Sequence, residues 1–304
     1  MKKIAAIIIV LLALGYPASA CDVCGCSLGG NYLGILPLYN KNFVGLRWSQ
    51  AKFHSYIAPT QYLSAQQSND TYAKVELWGR YYITKRIQLF AFIPYAYNDM
   101  NGTDQVVSAS GLGDINIMAN YVIVNTGEIA TDFKHTLIAG GGVKLPTGKF
   151  NQEDKGKIIN RNFQLGTGSV DFNLNAVYTL RYKRAGINLE TGYKLNTRNS
   201  HDYLFGNQYR ASTQLFYWQK FGVFSFLPHG GVNYEQAAMH KDGNILQVNT
   251  GGSAWLGAGG MDIYIQRFTI GVNYQKPIRQ NYNSDQTADI TSKARWTTSL
   301  TFNF

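Results

Sequence analysis

The sequence predicts an all-β fold, a transmembrane antiparallel β-barrel of about twelve strands with short periplasmic turns and long extracellular loops. Three observations predict it. The last segment alternates strictly in polarity, the connections alternate in length, and the composition is poor in charge and rich in aromatics.

The final segment places Ala294, Trp296, Thr298, Leu300, Phe302 and Phe304 at every second position. Arg295, Thr297, Ser299, Thr301 and Asn303 lie between them. Strict period-two alternation makes a strand with one apolar and one wet face. A terminal strand of this kind ending on Phe is similar to the C-terminal insertion signal of bacterial outer-membrane barrels. Similar runs place the other strands near 42–53, 71–84, 86–98, 114–124, 133–145, 168–182, 184–197, 208–219, 222–234, 254–265 and 267–277, with the last at 293–304.

The connections alternate. Long ones fall near 54–70, 99–113, 146–167, 198–207, 235–253 and 278–292. Short ones are Thr84-Lys85-Arg86, Lys183-Arg184, Gln219-Lys220-Phe221 and Gln266-Arg267, with a looser one from Asn125 to Asp132. An even strand number with this alternation puts both chain ends and the short turns in the periplasm.

Only 15% of residues are charged, which is low for a soluble protein, while Tyr (21), Phe (16) and Gly (31) are abundant. The net charge of +10 is scattered and forms no basic cluster, so nucleic acid is not an expected partner. Outer-membrane lipid and a small-molecule solute are, with the chain a monomer.

Export is expected from the N-terminus. Lys2 and Lys3 precede an apolar core, Ile4 to Leu14, and Ala18-Ser19-Ala20 is a small-x-small cleavage pattern. The expected organisation is a signal peptide at 1–20, a Cys-rich periplasmic segment at 21–41 and the barrel at 42–304.

Alternation alone does not say which face is outside. Twelve strands enclose a lumen too wide for apolar side chains to fill, so the apolar rows are assigned to lipid and the polar rows to the lumen. The lumen-lining candidates are Arg47, Lys74, Glu76, Arg80, Asp171, Arg181, Glu190, Lys194, Arg267 and Arg295. Their opposed signs fit either a selective charged lining or structural salt bridges.

Two short motifs stand out. Gly111-Leu112-Gly113-Asp114-Ile115 opens a strand, and Lys144-Leu145-Pro146-Thr147-Gly148 closes the next. The glycines allow positive φ where a loop re-enters a strand. Asp114 either accepts backbone N–H bonds there or meets a substrate at the lumen mouth. Pro146 cannot donate to a ladder and marks a strand end. Both motifs resemble those of the bacterial outer-membrane barrel family named for the meta-pathway of phenol degradation. The resemblance implies a barrel passing small, often aromatic, compounds, and it supplies no catalytic residues. The N-terminal CDVCGCSLGGNYLGILP segment resembles the start of barrel proteins of Bacteroidetes-like bacteria.

Cys21, Cys24 and Cys26 are the only cysteines. Three readings stay open: acylation of Cys21, a disulfide between two of them, or a soft metal site. Three thiolates suit Cu(I) better than zinc, which wants four ligands in a closed site. His54, His201 and His240 are expected in outward loops, with His135 near a strand start and His229 on a strand. No enzyme is expected. There is no G-x-S-x-G elbow, and Ser225 and His229 are roughly 13 Å apart along a strand.

The functional expectation is an outer-membrane channel or transporter for small aromatic or hydrophobic compounds in a Gram-negative bacterium, with no resident cofactor. The alternatives are a Cu(I)-handling barrel using the Cys segment and a structural barrel displaying loops.

Overall fold

The computed structural model describes residues 33, 41–59, 64–103, 106–127, 129–154, 157–158, 161–282 and 288–304. The predicted signal peptide and all three cysteines lie outside the described residues.

Twelve antiparallel strands close into a barrel. They are β1 (Phe43–Ile57), β2 (Gln66–Tyr82), β3 (Ile87–Gly102), β4 in two pieces (Val106–Leu112 and Asn116–Asn125), β5 (Phe133–Lys144) and β6 (Asp171–Tyr182). Then come β7 (Ala185–Leu195), β8 (Gln208–Tyr217, resumed at Gln219–Phe221), β9 (Phe224–Ala237), β10 (Gly252–Ile265), β11 (Phe268–Asn281) and β12 (Ala288–Asn303). Each pairs with its sequence neighbour, and β12 pairs with β1 from Asn303↔Phe43 to Ala288↔Ile57. Closure satisfies every ladder without an edge, the condition for crossing lipid with strands. The terminal Phe304 N–H donates to Asn42 O at 2.9 Å and tightens the seam.

The outer wall is apolar. Leu46, Leu77, Ile93, Ile117, Leu189, Leu215, Ile270 and Leu300 all project outward and are exposed. Tyr81, Tyr121, Tyr182 and Phe268 ring the short-turn end, and Trp48, Tyr97, Tyr193, Trp255 and Trp296 ring the loop end. An apolar band between aromatic girdles is the lipid-facing surface of an outer-membrane barrel, and this chain lies in the outer membrane.

Three predicted loops, 54–70, 99–113 and 278–292, are largely strand. β1 and β2 stay paired out to Ile57↔Gln66, and β3 with β4 out to Asn101↔Val106. These ends project past the bilayer, where neither face needs to be apolar. The ladder continues while the hydrophobic period that reveals it stops.

β4 is interrupted at the first motif. Tyr95 of β3 faces Leu112 and Phe92 faces Asn116, so four steps on β4 match three on β3. The extra residue is a bulge, and it shifts the inward-facing positions from odd (Val107, Ala109) to even (Met118, Asn120). Gly111 takes φ 152° as expected of a glycine there, whereas Gly113 has no positive φ. Gly113 serves space instead: a Cβ would meet Pro94 Cγ at 3.1 Å and Leu165 O at 3.3 Å.

Candidate functional site

The inward faces of the strands are not uniformly polar, contrary to the expectation. Phe43, Trp78, Phe90, Phe92, Met118 and Val177 form a buried apolar layer near the short-turn end, together with Leu33. Phe53, Tyr72, Met100, Val107, Leu256, Tyr282 and Ile290 form a second layer near the loop end. The assumption that apolar side chains leave a wide lumen empty fails because large aromatics reach inward from many strands and edge-pack, as Phe43 does on Trp78 at 4.6 Å between ring centroids.

Leu33 and one non-barrel connection occupy part of the remaining space. Leu33, from the segment before β1, is buried in the lower layer, and its N–H donates to Glu190 Oε1 at 3.3 Å. The connection after β5 folds into the upper layer through a 3-10 turn, Arg161–Phe163. Phe163 is fully buried there, its ring 5.2 Å from that of Tyr72, and Asn98 Nδ2 donates to its carbonyl at 3.2 Å.

Between the layers lies a belt of ions. Neighbouring strands carry them at matching heights because register fixes Arg47 opposite Glu76, and the period of two sends Lys74, Glu76 and Trp78 to the same side. Arg47 is sandwiched between Glu76, 3.0 Å from its Nε, and the Trp78 ring, 4.7 Å from its Cζ. Lys74 reaches Glu76 at 3.1 Å. Arg295 clamps Glu235 with two bonds, 2.7 and 2.6 Å. Arg210 pairs with Glu190 at 3.1 Å.

The densest group joins the two sequence motifs. Lys144 lies 2.6 Å from Asp114 and 2.8 Å from Asp171, and Lys194 approaches Asp171 at 3.6 Å. Asp114 also accepts the backbone N–H groups of Gly148 at 3.0 Å and Thr167 at 2.9 Å. Asp171 accepts from Ser169 Oγ at 2.9 Å and from the Thr197 N–H at 3.0 Å. Thr147 completes the latch, taking the Ile115 N–H at 2.9 Å and donating to Gly113 O at 2.8 Å. The two motifs thus hold one another and tether the inward-folded connection. Gly166 is required here, since a Cβ would fall 2.5 Å from Asp114 Oδ1.

The structure brings eight of the ten proposed lumen residues inside the barrel in contact with partners. Seven of these belong to the belt, and Arg80 sits below it. Arg80 donates to Lys41 O at 2.6 and 3.1 Å and stacks on Phe43. Arg181 is half-buried at the short-turn end and is in no ion pair among the described residues. Arg267 is a correction: β10 ends at Ile265, and Arg267 sits exposed in the Gln266-Arg267 turn. Sequence reasoning placed Asp114 at the lumen mouth only as one of two readings and missed Lys144, Arg210 and Glu235, although the last two share parity with inward positions of β8 and β9.

His201, His135 and His229 lie where expected, and two histidines differ. His54 lies within β1 and bonds Asn69 at 3.0 Å. His240 is buried against Tyr203 and Phe205, its Nδ1 3.0 Å from Tyr203 Oη. Burial first, and then the charge of Lys194, lower its pKa to about 4. Among the described residues no cluster of His, Cys, Asp and Glu could hold a metal ion.

Two cavities of the lumen are lined by described residues. An upper one of about 200 Å³ lies between aromatic walls (Phe53, Tyr72, Phe205), Leu165 and the ammonium groups of Lys74, Lys144 and Lys194. A middle one of about 150 Å³ is lined by Arg47, Lys74, Glu190, Arg210, Glu235 and Arg295. Lys74 lines both.

No protein-family model matches the chain, and no curated protein sequence does. Among solved structures it is similar to an outer membrane channel from Pseudomonas putida F1, with 14% identity, 90% of this chain and 98% of that chain covered, and a TM-score of 0.63. A Pseudomonas aeruginosa FadL homologue (10% identity, 86% and 90% covered, TM-score 0.42) and the translocator domain of the Neisseria meningitidis autotransporter NalP (7%, 87% and 88%, 0.42) are more distant. At these identities the likeness to the Pseudomonas putida channel carries the fold, and the chain is an outer-membrane β-barrel.

Proposed function

We propose that this barrel is a channel for small molecules with an apolar, ring-sized body and a polar end. The observation that carries the reading is the pair of lumen cavities that share Lys74 as a lining residue, both lined by ionic groups and the upper one also by the rings of Phe53, Tyr72 and Phe205. A cavity of ~150 Å³ is large enough for a benzene ring. The upper walls offer aromatic faces to such a body, and the ammonium groups below offer hydrogen bonds to its polar end. A purely hydrophilic filter would not spend its narrow layers on Phe43, Trp78, Phe90 and Phe92.

The test is uptake of a radiolabelled aromatic carboxylate into proteoliposomes, with a similar-sized sugar as comparison. The expected result is uptake well above protein-free liposomes, faster for the aromatic solute. An Ala96→Trp variant, which fills the upper cavity, should lower it at least tenfold. Uptake of both solutes at the protein-free rate would reject the channel and favour the loop-displaying barrel.

A further inference from the structure

Every barrel strand except β1, β11 and β12 lacks an outward-facing Lys or Arg in its extracellular half among the described residues. Those three adjacent strands carry four: Lys52, Lys276, Arg279 and Lys293, all exposed. The register sets them together. Lys52 faces the Lys293-Ala294 step of β12, and Lys276 adjoins that same step from β11. Two strand separations of ~4.8 Å therefore put Lys52 and Lys276 about 10 Å apart with Lys293 between them.

Two β-bulges gather the group. β12 gains an extra residue at Lys293-Ala294, between the pairs Ala51↔Arg295 and Phe53↔Ser292. β11 gains Ile278, between Trp255↔Arg279 and Leu256↔Pro277. A bulge re-aims side chains, and here each one keeps a cation on the outer wall while Arg295 and Ser292 still face inward. Like charges on adjacent strands repel, and no carboxylate among the described residues pairs with any of the four. Among the described residues the four have no counter-charge, and an anion from outside would relieve their repulsion.

Height identifies the anion. At ~3.4 Å per residue and a tilt near 40°, Lys52 stands roughly 20 Å above Val44, at the outer edge of an apolar band ~25 Å tall. Just below lie the outward rings of Trp296 and Tyr274, 4.5 Å apart, with Trp48 deeper in the band. Trp255 flanks Arg279. Aromatic rings at the acyl boundary under clustered cations at headgroup level match an amphiphile with several phosphates.

We propose that Lys52, Lys276, Arg279 and Lys293 form a binding site on the outer wall for one phosphorylated glycolipid of the extracellular leaflet. The phosphates bridge the three strands, and the acyl chains lie against the tryptophans. The site is separate from the lumen and independent of what the channel carries.

Native mass spectrometry of the detergent-solubilised barrel tests it, using purified bisphosphorylated lipid A, its dephosphorylated form and phosphatidylglycerol as probes. The expected result is one lipid A per barrel, held at least tenfold more tightly than either comparison lipid. The K52Q/K276Q/R279Q/K293Q variant should lose at least tenfold in lipid A affinity. A K85Q/R86Q/K183Q/R184Q variant, which removes the same charge from the periplasmic turns, should lose less than twofold. Equal affinity of the wild-type barrel for the three lipids, or equal losses in both variants, would overturn the site. The lipid comparison needs only the wild-type protein, so it decides even if a variant does not fold.

Discussion

The outer and inner walls of this barrel are built from the same strands and carry the same aromatic residue types, yet they differ in one respect. On β2, Leu77 and Val75 point to lipid while Trp78, Glu76 and Lys74 point inward. On β1, Trp48 is outside while Phe43 and Phe53 are inside with Arg47. Apolarity therefore does not distinguish the walls. Charge does: the lipid wall carries no ions over its middle, and the lumen wall concentrates them in partnered groups. The reason is the cost of an ion without partners, which hydrocarbon cannot supply and a folded lumen can.

The largest break in that comparison is expected at Lys144. Replacing it with Met leaves Asp114 and Asp171 facing each other's side of the lumen without their shared cation. Stripping one partner from a buried ionic group costs ~3–5 kcal/mol. Reversible urea unfolding in lipid vesicles would read this as a lowered unfolding free energy. A loss below about 1 kcal/mol would mean that the network is dispensable.

Next in size is a charge moved to the wrong wall. Leu77→Arg, midway up the lipid face, should cost ~2–4 kcal/mol, and Asn233→Arg, lining the middle cavity, less than about 1 kcal/mol. The same unfolding assay separates them. Equal costs would remove the distinction between the walls.

A smaller effect concerns the extracellular connection from β9 to β10, 238–251, here called the cap and closed when its His240 is packed on Tyr203 and Phe205. An unfolded histidine titrates near 6.5, whereas buried His240 stays neutral down to about 4. Above pH 6.5 the closed cap keeps its full stability. Between 6.5 and 4 the opened cap takes up the proton and the closed one does not, so closure loses up to ~3 kcal/mol. Hydrogen exchange in 238–251, corrected for intrinsic rates, should accelerate across that window. In His240→Phe the acceleration should vanish, and its persistence would assign the pH response elsewhere.

Much of the architecture was legible in the sequence because it rests on period two. All twelve strands overlap the places alternation gives them, and the Lys-Leu-Pro-Thr-Gly motif marks a real strand end, whereas Gly-Leu-Gly-Asp marks a bulge inside β4 and not the expected strand start. What alternation could not reveal is what fills the lumen. Phe43, Phe53 and Trp78 share parity with Arg47 and Glu76, so their inward direction could be read, but weighing apolar residues as lipid-facing hid it. Phe163 and Leu33 come from irregular segments, whose long-range packing leaves no periodic trace. Arg267 shows the opposite limit: one residue beyond a strand end, parity no longer points anywhere.

The claim on which the rest depends is that odd positions of β2 meet acyl chains and even ones do not. Single cysteines placed in turn at 73 to 79 in the Cys21/Cys24/Cys26→Ser background, each carrying a fluorophore, can be quenched by brominated lipids in reconstituted vesicles. Strong quenching at 73, 75, 77 and 79 with little at 74, 76 and 78 is the predicted pattern. Quenching in the reverse phase, or equal at all seven, would contradict it.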